Sequence, residues 1–227
     1  MDQTLLYGFV IAMALFGVIW MAFVMPAERR HHARKLAIVQ KRIAEHEARL
    51  AERARAPGPV IETARLALRE LTVDDAAFLK DVMNDAGFLK YIGDRGIRTL
   101  DDARAYLERG PLDSYRRHGY GMYLVTRRAD DAALGICGLV RRDSLDAPDL
   151  GFAFLPPYRS QGYASEAAAA TLEFGRKTLG LARILAIATP DNGASNRILR
   201  KCGMRLERRV RLPPDDSELN LYVCPAG

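Results

Sequence analysis

Cysteine is scarce and poorly spaced for chemistry. Cys137, Cys202 and Cys224 are the only three, and all lie in the second half of the 227-residue chain. An odd number at these separations argues against a disulfide framework and matches no zinc-ligand spacing. Reduced, packed thiols in a cytosolic domain are the expectation. Histidine is equally thin, with four residues. Two of them, His31 and His32, are adjacent, and neighbours on a helix point about 100° apart, so that pair suits solvent rather than a metal. An excess of one charge is also missing from most of the chain. The net charge is +6, but residues 27–56 hold nine Lys/Arg against four Glu, whereas residues 60–227 hold 25 Lys/Arg against 23 Asp/Glu. The basicity therefore belongs to the N-terminal third, and a nucleic-acid-binding role for the whole protein is disfavoured.

Charge is absent altogether from Leu5 to Met25, a run of 21 residues. At about 1.5 Å per residue, a helix of that length spans the ~30 Å hydrocarbon core of a bilayer. A cleaved signal peptide would carry a basic region before a shorter apolar core. Here Asp2 is the only early charge, and Arg29, Arg30, Arg34 and Lys35 follow the run. The flank asymmetry predicts a single-pass anchor over 1–26 in the inner (cytoplasmic) membrane, with the N-terminus outside and the rest of the chain in the cytoplasm. Residues 27–59 read as a basic helical stalk closed by Ala56-Pro57-Gly58-Pro59, which breaks the helix. Leu36, Val39, Ile43 and Leu50 follow heptad spacing, but His46 and Arg53 interrupt the seam. Weak pairing of stalks, as a homodimer, and contact with anionic headgroups are the partner expectations for this part.

Residues 60–227 read as one mixed α/β domain. The pattern predicts a first strand through Leu66, Leu68 and Leu71, a helix over 74–84 and a helix started by Thr99. A hairpin follows, of 121–126 with 134–140 turning at Ala129-Asp130-Asp131-Ala132. Beyond it come a strand over 149–155, an Ala-rich helix over 165–179, a buried strand over 183–189, a short helix over 195–201 and two last strands.

The informative stretch is DLGFAFLPPYRSQGYASEA, residues 149–167. A strand runs into Pro156-Pro157, and Arg159-Ser160-Gln161-Gly162-Tyr163-Ala164 opens a helix. Gly162 lacks a Cβ and Ala164 has a small one, so backbone can approach a ligand where N–H groups converge at a helix N-terminus. Unpaired donors and the positive dipole end make an anion site. A tight turn without a ligand is the plain alternative for this stretch taken alone.

The R-x-x-G-x-A turn after a strand resembles the acyl-CoA pyrophosphate motif of the GNAT superfamily of N-acetyltransferases. TARLALREL (63–71), LGICGL (134–139), TPDNGASNRILRKCGM (189–204) and DDSELNLY (215–222) resemble, in order, segments of its ribosomal-protein-alanine (Rim-type) branch. The resemblance covers about 160 residues of this chain. It implies a splayed central sheet flanked by helices, acetyl-CoA as acyl donor, no metal and an amine as acceptor.

It further implies that pantetheine lies between strand 150–155, with Phe152 and Phe154, and strand 183–189. Backbone N–H groups from Gln161 through Ala164 then hold pyrophosphate, with Arg159 and Ser160 opening the turn and Tyr163 within it. Asn192 hydrogen-bonds near the pantetheine, and Ser195 donates a proton to the departing thiolate, or caps the following helix, or both. Two departures stand out. Leu199 occupies a position where many members have a proton-donating tyrosine, and Cys202-Gly203-Met204 stands for Leu-Gly-Phe. The candidate general bases are Asp149, at a strand start, and Asp216 or Asp215 in the last hairpin; Glu166 is read instead as support for its helix's N-terminal end. The alternative reading is a non-catalytic GNAT-fold subunit of a membrane complex.

Overall fold

The computed structural model describes residues 57–213 and 216–225, together with Met13, Phe16, residues 39–41, 43 and 44. The anchor and stalk expectations over 1–56 therefore lie almost wholly outside the described residues. Among the described residues, no helix is long and apolar enough to cross a membrane. Contacts divide the chain into two units, Met1–Ala56 and Pro57–Gly227.

Among the described residues, eight strands form one mixed sheet. They are β1 (Pro59–Glu62), β2 (Leu66–Glu70), β3 (Met122–Arg127), β4 (Ala133–Val140), β5 (Asp149–Phe154), β6 (Leu185–Ala188), β7 (Arg205–Arg211) and β8 (Glu218–Val223). Their spatial order is β1-β2-β3-β4-β5-β6-β8-β7, and only the β5–β6 pair is parallel. The sequence did not reveal β1, because its Pro59 reads as a linker; a proline at the first position of an edge strand removes no needed ladder donor. Residues of β4 are enclosed on both sides. A Cβ at Gly138 would stand 2.1 Å from the Gly121 carbonyl oxygen, so only glycine fits there.

Among the described residues of this unit, six helices flank the sheet: α1 (Ala76–Met83), α2 (Ala86–Tyr91), α3 (Leu100–Arg109), α4 (Pro111–His118), α5 (Tyr163–Lys177) and α6 (Gly193–Lys201). Thr99 starts α3 as its sequence predicts: its hydroxyl accepts from the Asp102 N–H at 3.1 Å, while the Asp102 carboxylate accepts from the Thr99 N–H at 2.8 Å. The helix expected over 74–84 begins instead with a 3-10 turn at Val73–Asp75. Helices α2 and α4 went unread because each is short, and α2 buries only Phe88 and α4 only Pro111.

The core has two principal parts, one on each face. Helix α5 lays Ala167, Ala168, Thr171, Leu172 and Gly175 against the sheet, and the small residues let it approach closely. Leu66, Leu68, Val125, Leu134 and Leu139, all 0% exposed, meet it. Each such side chain contributes about 1.5–3 kcal/mol by leaving water. On the other face, Leu79, Ala103 and Leu107 of α1 and α3 pack on Leu124 and Ile136. Cys137 is sealed in the α5 core, where burial pushes its thiol up to about 12, in keeping with an inert packed residue. Neither of these helical layers covers Leu185, Ile187, Leu221 and Val223 of β6 and β8; the loop between β4 and β5 supplies Leu145 and Ala147 there.

Candidate active site

The site is built on a wedge. β5 and β6 share a single ladder pair, Asp149 with Leu185, reinforced by the Leu185 N–H donating to the Pro148 carbonyl at 2.9 Å. Beyond that apex β5 is paired only with β4, and β6 only with β8. The facing edges therefore carry backbone groups without ladder partners among the described residues. Buried backbone polar groups are nearly always paired, so an extended ligand with amide groups is the natural filling. The Thr189 hydroxyl, just past the end of β6, is likewise buried without a hydrogen-bond partner.

The mouth of the wedge leads to the turn the sequence singled out. β5 ends at Phe154, Pro156–Tyr158 form a 3-10 turn, and α5 begins at Tyr163, two residues earlier than expected. Gly162 has φ +82°, the left-handed region, and caps α5 with no side-chain hydrogen bond. Ser160 also has positive φ, at 60°, a conformation that costs a non-glycine residue about 1–2 kcal/mol. The result is an uncapped helix start whose first N–H groups, from Tyr163 and Ala164, face outward as an anion cradle.

Arg159 holds this turn rather than standing free as a phosphate ligand. Its Nε donates to the Phe154 carbonyl at 2.8 Å, and its guanidinium is ion-paired with Asp85. Asp85 in turn caps α2, accepting from the N–H groups of Gly87 at 2.8 Å and Phe88 at 3.2 Å. Burial works to raise its pKa, but the Arg159 hydrogen bond and the cap hold the carboxyl below its ordinary value. The Gln161 amide donates to the Pro157 carbonyl at 2.7 Å and stiffens the same turn.

A second cation at the cradle, ion-paired with Glu166 at 2.6 Å, is one the sequence reading did not single out. Arg65, on the β1–β2 turn, lies over the Tyr163 ring at 4.6 Å and donates to the Gln161 carbonyl at 3.2 Å. Its Nη2 would be 3.3 Å from a Cβ at Gly162, and its side chain is 47% exposed. A cavity of ≈ 320 Å³ beside the cradle is lined by Arg65, Gly162, Ser165, Glu166 and Lys201, among others. Glu166 orients Arg65 through Nε at 2.7 Å and also accepts from the Thr63 hydroxyl at 2.6 Å. Burial opposes ionisation of Glu166, but Thr63 and Arg65 together hold its pKa below normal. Glu166 is thus a tie between α5 and the β1–β2 turn, its carboxylate engaged by Thr63 and Arg65 rather than by the N–H groups at the helix start. The signal that could have marked Arg65 is its place in TARLALREL, the first segment of the resemblance.

At the other side of the mouth, α6 begins at Gly193 and its cap is Asn192, whose side chain accepts from the Ser195 N–H at 3.0 Å. This corrects the reading of Ser195 as a cap: it lies inside the first turn. Its hydroxyl has no hydrogen-bond partner among the described residues and is left to donate elsewhere. The helix is anchored below by Asn196, whose Oδ1 accepts from the Asn220 amide at 2.9 Å and the Tyr222 hydroxyl at 2.8 Å. Leu199 is 1% exposed and packs in the core, so no proton donor exists at that position.

The candidate bases fare differently. Asp149 sits at the apex, only 1% exposed, and accepts from Arg142 Nε at 2.9 Å. Burial raises its pKa while Arg142 pulls it down. It fastens the β4–β5 loop to the strand start and does not open onto solvent. Asp216 is exposed. It lies in the β7–β8 hairpin with its side chain 80% exposed, 3.6 Å from Arg211. Asp215 lies outside the described residues. Phe152 and Phe154 sit on the α5 side of β5, packed into that core, so their backbone rather than their rings borders the gap.

A parallel pair that opens at one end, with an uncapped helix start at its mouth, defines an acyl-CoA-type transferase scaffold. A family model described as "Acetyltransferase (GNAT) domain" matches residues 65–205. The uncharacterised N-acetyltransferase YnaD of Bacillus subtilis (strain 168) is 34% identical over 147 residues, covering 65% of this chain and 83% of that one. A GNAT-family acetyltransferase structure from Bacillus anthracis superposes with TM-score 0.61 at 28% identity, covering 72% of this chain and 96% of the other. RimL, a ribosomal L7/L12 alpha-N-protein acetyltransferase solved with coenzyme A, shares the fold with TM-score 0.62 at 19% identity, over 71% and 94%. The chain belongs to the GNAT acetyltransferase family, and it is an acyltransferase enzyme.

Proposed function

We propose that this protein is a membrane-tethered N-acetyltransferase that moves the acetyl group of acetyl-CoA to a primary amine on the cytoplasmic side. The observation that carries the donor half is the uncapped start of α5 at Gly162, set at the mouth of the unpaired β5–β6 gap. Pyrophosphate suits the N–H groups of Tyr163 and Ala164 with Arg65 beside them, and the amide-bearing pantetheine arm suits the free strand edges and the Thr189 hydroxyl. RimL, of the same fold, was solved with coenzyme A.

Bound acetyl-CoA supplies an activated acyl group. The amine nitrogen forms a bond to the acetyl carbon, the carbon–sulfur bond breaks, and the proton lost by nitrogen balances the one gained by sulfur. The residues of this chain contribute placement and proton donation. β5 backbone N–H groups face the gap as donors toward the acyl oxygen. The unengaged Ser195 hydroxyl is the donor to the leaving sulfur, a role that Leu199 cannot fill. Asp149 is enclosed against Arg142, and in this reading water takes the proton that the amine loses.

The tether rests on the charge-free run Leu5–Met25 and the basic residues that follow it. Calorimetry of the full-length protein with acetyl-CoA, followed by thiol release over a panel of amines and peptides, tests the catalytic part. Binding without release from any acceptor would favour a non-catalytic subunit. Carbonate extraction of cell membranes tests the tether, and a mature N-terminus after residue 25 would exclude it.

A further inference from the structure

The donor wedge has two faces, and one of them is closed. Toward α5, Leu150 and Phe152 of β5 and Ala186 and Ala188 of β6 pack into the core beneath the helix. Side chains alternate along a strand, so Gly151, Ala153 and Ile187 belong to the opposite face. There Ala153 packs on the cluster under α1 and α3, and Ile187 on the separate cluster under the β4–β5 loop. Gly151 and Ile187 are each two residues past the apex pair Asp149 and Leu185, so they stand level across the gap. An arm that starts at the α5 cradle and follows β5 brings its reactive end toward this level, and the open face is the side from which an amine can meet it.

Gly151 is half-buried and leaves room where a side chain would stand. It pairs with Gly138 of β4, and Gly138 pairs with Met122 of β3. With no side chain on either glycine, Met122 reaches across the row. A Cβ at Gly151 would lie 3.5 Å from Met122 Sδ and 3.9 Å from Val140 Cγ2. Met122, Val140 and Ile187 are all half-buried, so an incoming group can touch them. The Met122 thioether is unbranched and polarisable, which suits contact with ligands of differing shape.

Charge is nearly absent from these strands. β4 and β6 contain no charged residue, and β5 contains only Asp149. That carboxylate is held by Arg142 Nε at 2.9 Å and is 1% exposed. An ammonium or carboxylate carried in on the acceptor would leave water here without a counter-charge, which is costly. Hydrocarbon brought to the same place gains by leaving water.

We propose that the acceptor enters beside Gly151 on the face away from α5, and that it is an amine borne on an uncharged alkyl or aryl group seated against Met122, Val140 and Ile187. The proposal rests on the acetyltransferase reading above and adds the substrate class.

The test uses full-length protein, acetyl-CoA and three amines on similar alkyl chains: hexylamine, cadaverine and aminohexanoate, whose far ends are methyl, ammonium and carboxylate. Transfer is followed by thiol release, and acceptor binding by calorimetry on protein saturated with CoA. Hexylamine is expected to exceed both others in kcat/KM by about tenfold or more. Met122→Glu lowers kcat/KM for hexylamine by about tenfold and raises it for cadaverine. Met122→Gln, close to methionine in shape, narrows the preference without reversing it, and both variants keep parental acetyl-CoA affinity. Equal or reversed kcat/KM values for the three amines in the parent, or a hexylamine preference that the folded Met122→Gln variant retains in full, overturns the assignment. If no amine releases thiol, hexylamine binding that Met122→Gln weakens upholds the acceptor site and removes the acetyl transfer instead. Neither hexylamine binding nor transfer to hexylamine, with acetyl-CoA still bound, overturns the site.

Discussion

The Asp85 carboxylate and the Arg159 guanidinium are ion-paired across 74 residues of sequence. The pair joins the start of α2 to the turn that forms the anion cradle, and Arg159 passes the restraint on to the end of β5 through the Phe154 carbonyl. The first arginine of the R-x-x-G-x-A turn therefore shapes the cradle from behind.

Asp85→Asn is expected to lower stability by about 1–3 kcal/mol, from a weakened helix cap and a broken, partly buried charge pair. Acetyl-CoA affinity falls with it. The pH dependence has a definite sign. Because the folded-state pKa of Asp85 lies below its ordinary 3.8, its stabilisation is complete above that value and is lost as pH falls through the lower, folded one. Chemical denaturation of parent and variant should differ most near neutrality and converge in acid.

Gly162→Asp puts a side chain on a residue at φ +82° and a carboxylate where phosphate is expected. Calorimetry should show acetyl-CoA binding weakened at least about 100-fold, or about 2.7 kcal/mol. Gly162→Ala separates the two causes: it meets only Arg65 Nη2 at 3.3 Å, so it should lose about 1 kcal/mol of stability from backbone strain and far less affinity. Binding of acetyl-CoA to the aspartate variant at parental strength would place the cradle elsewhere.

Arg65→Ala removes the exposed cation beside the cradle and leaves Glu166 with only Thr63 and backbone as partners. A tenfold loss of acetyl-CoA affinity, about 1.4 kcal/mol, is expected, along with a flatter salt dependence of binding. An unchanged affinity would mean that Arg65 serves only to tie β2 to α5.

Ser195→Ala should reduce turnover by at least about 10-fold, below the usual range for general-acid help, with melting and acetyl-CoA affinity unaltered. The separation is clean because the cap belongs to Asn192, which accepts from the Ser195 N–H. Asn192→Ala should show the converse, a stability loss of about 1 kcal/mol. Equal turnover of parent and Ser195→Ala would assign the proton to solvent.

What the sequence determined by itself is what neighbouring residues enforce. Alternating Leu66 and Leu68 made a strand, Thr99 with Asp102 made a helix start, and Gly162 after Pro156-Pro157 made a strand-to-helix turn with bare N–H groups. Each depends on side-chain period, capping or backbone freedom within a few residues, and so each was legible. What only the tertiary structure decided depends on partners distant in sequence. Arg65 reaches Glu166 across 101 residues, and Asp85 reaches Arg159 across 74, so one arginine is held over the cradle and the other braces it from behind. Burial likewise enclosed Asp149 against Arg142 and left Asp216 in solvent, although both read equally well as bases. A carboxylate or guanidinium takes its role from its dielectric surroundings and its counter-charge, and both are properties of packing rather than of local sequence.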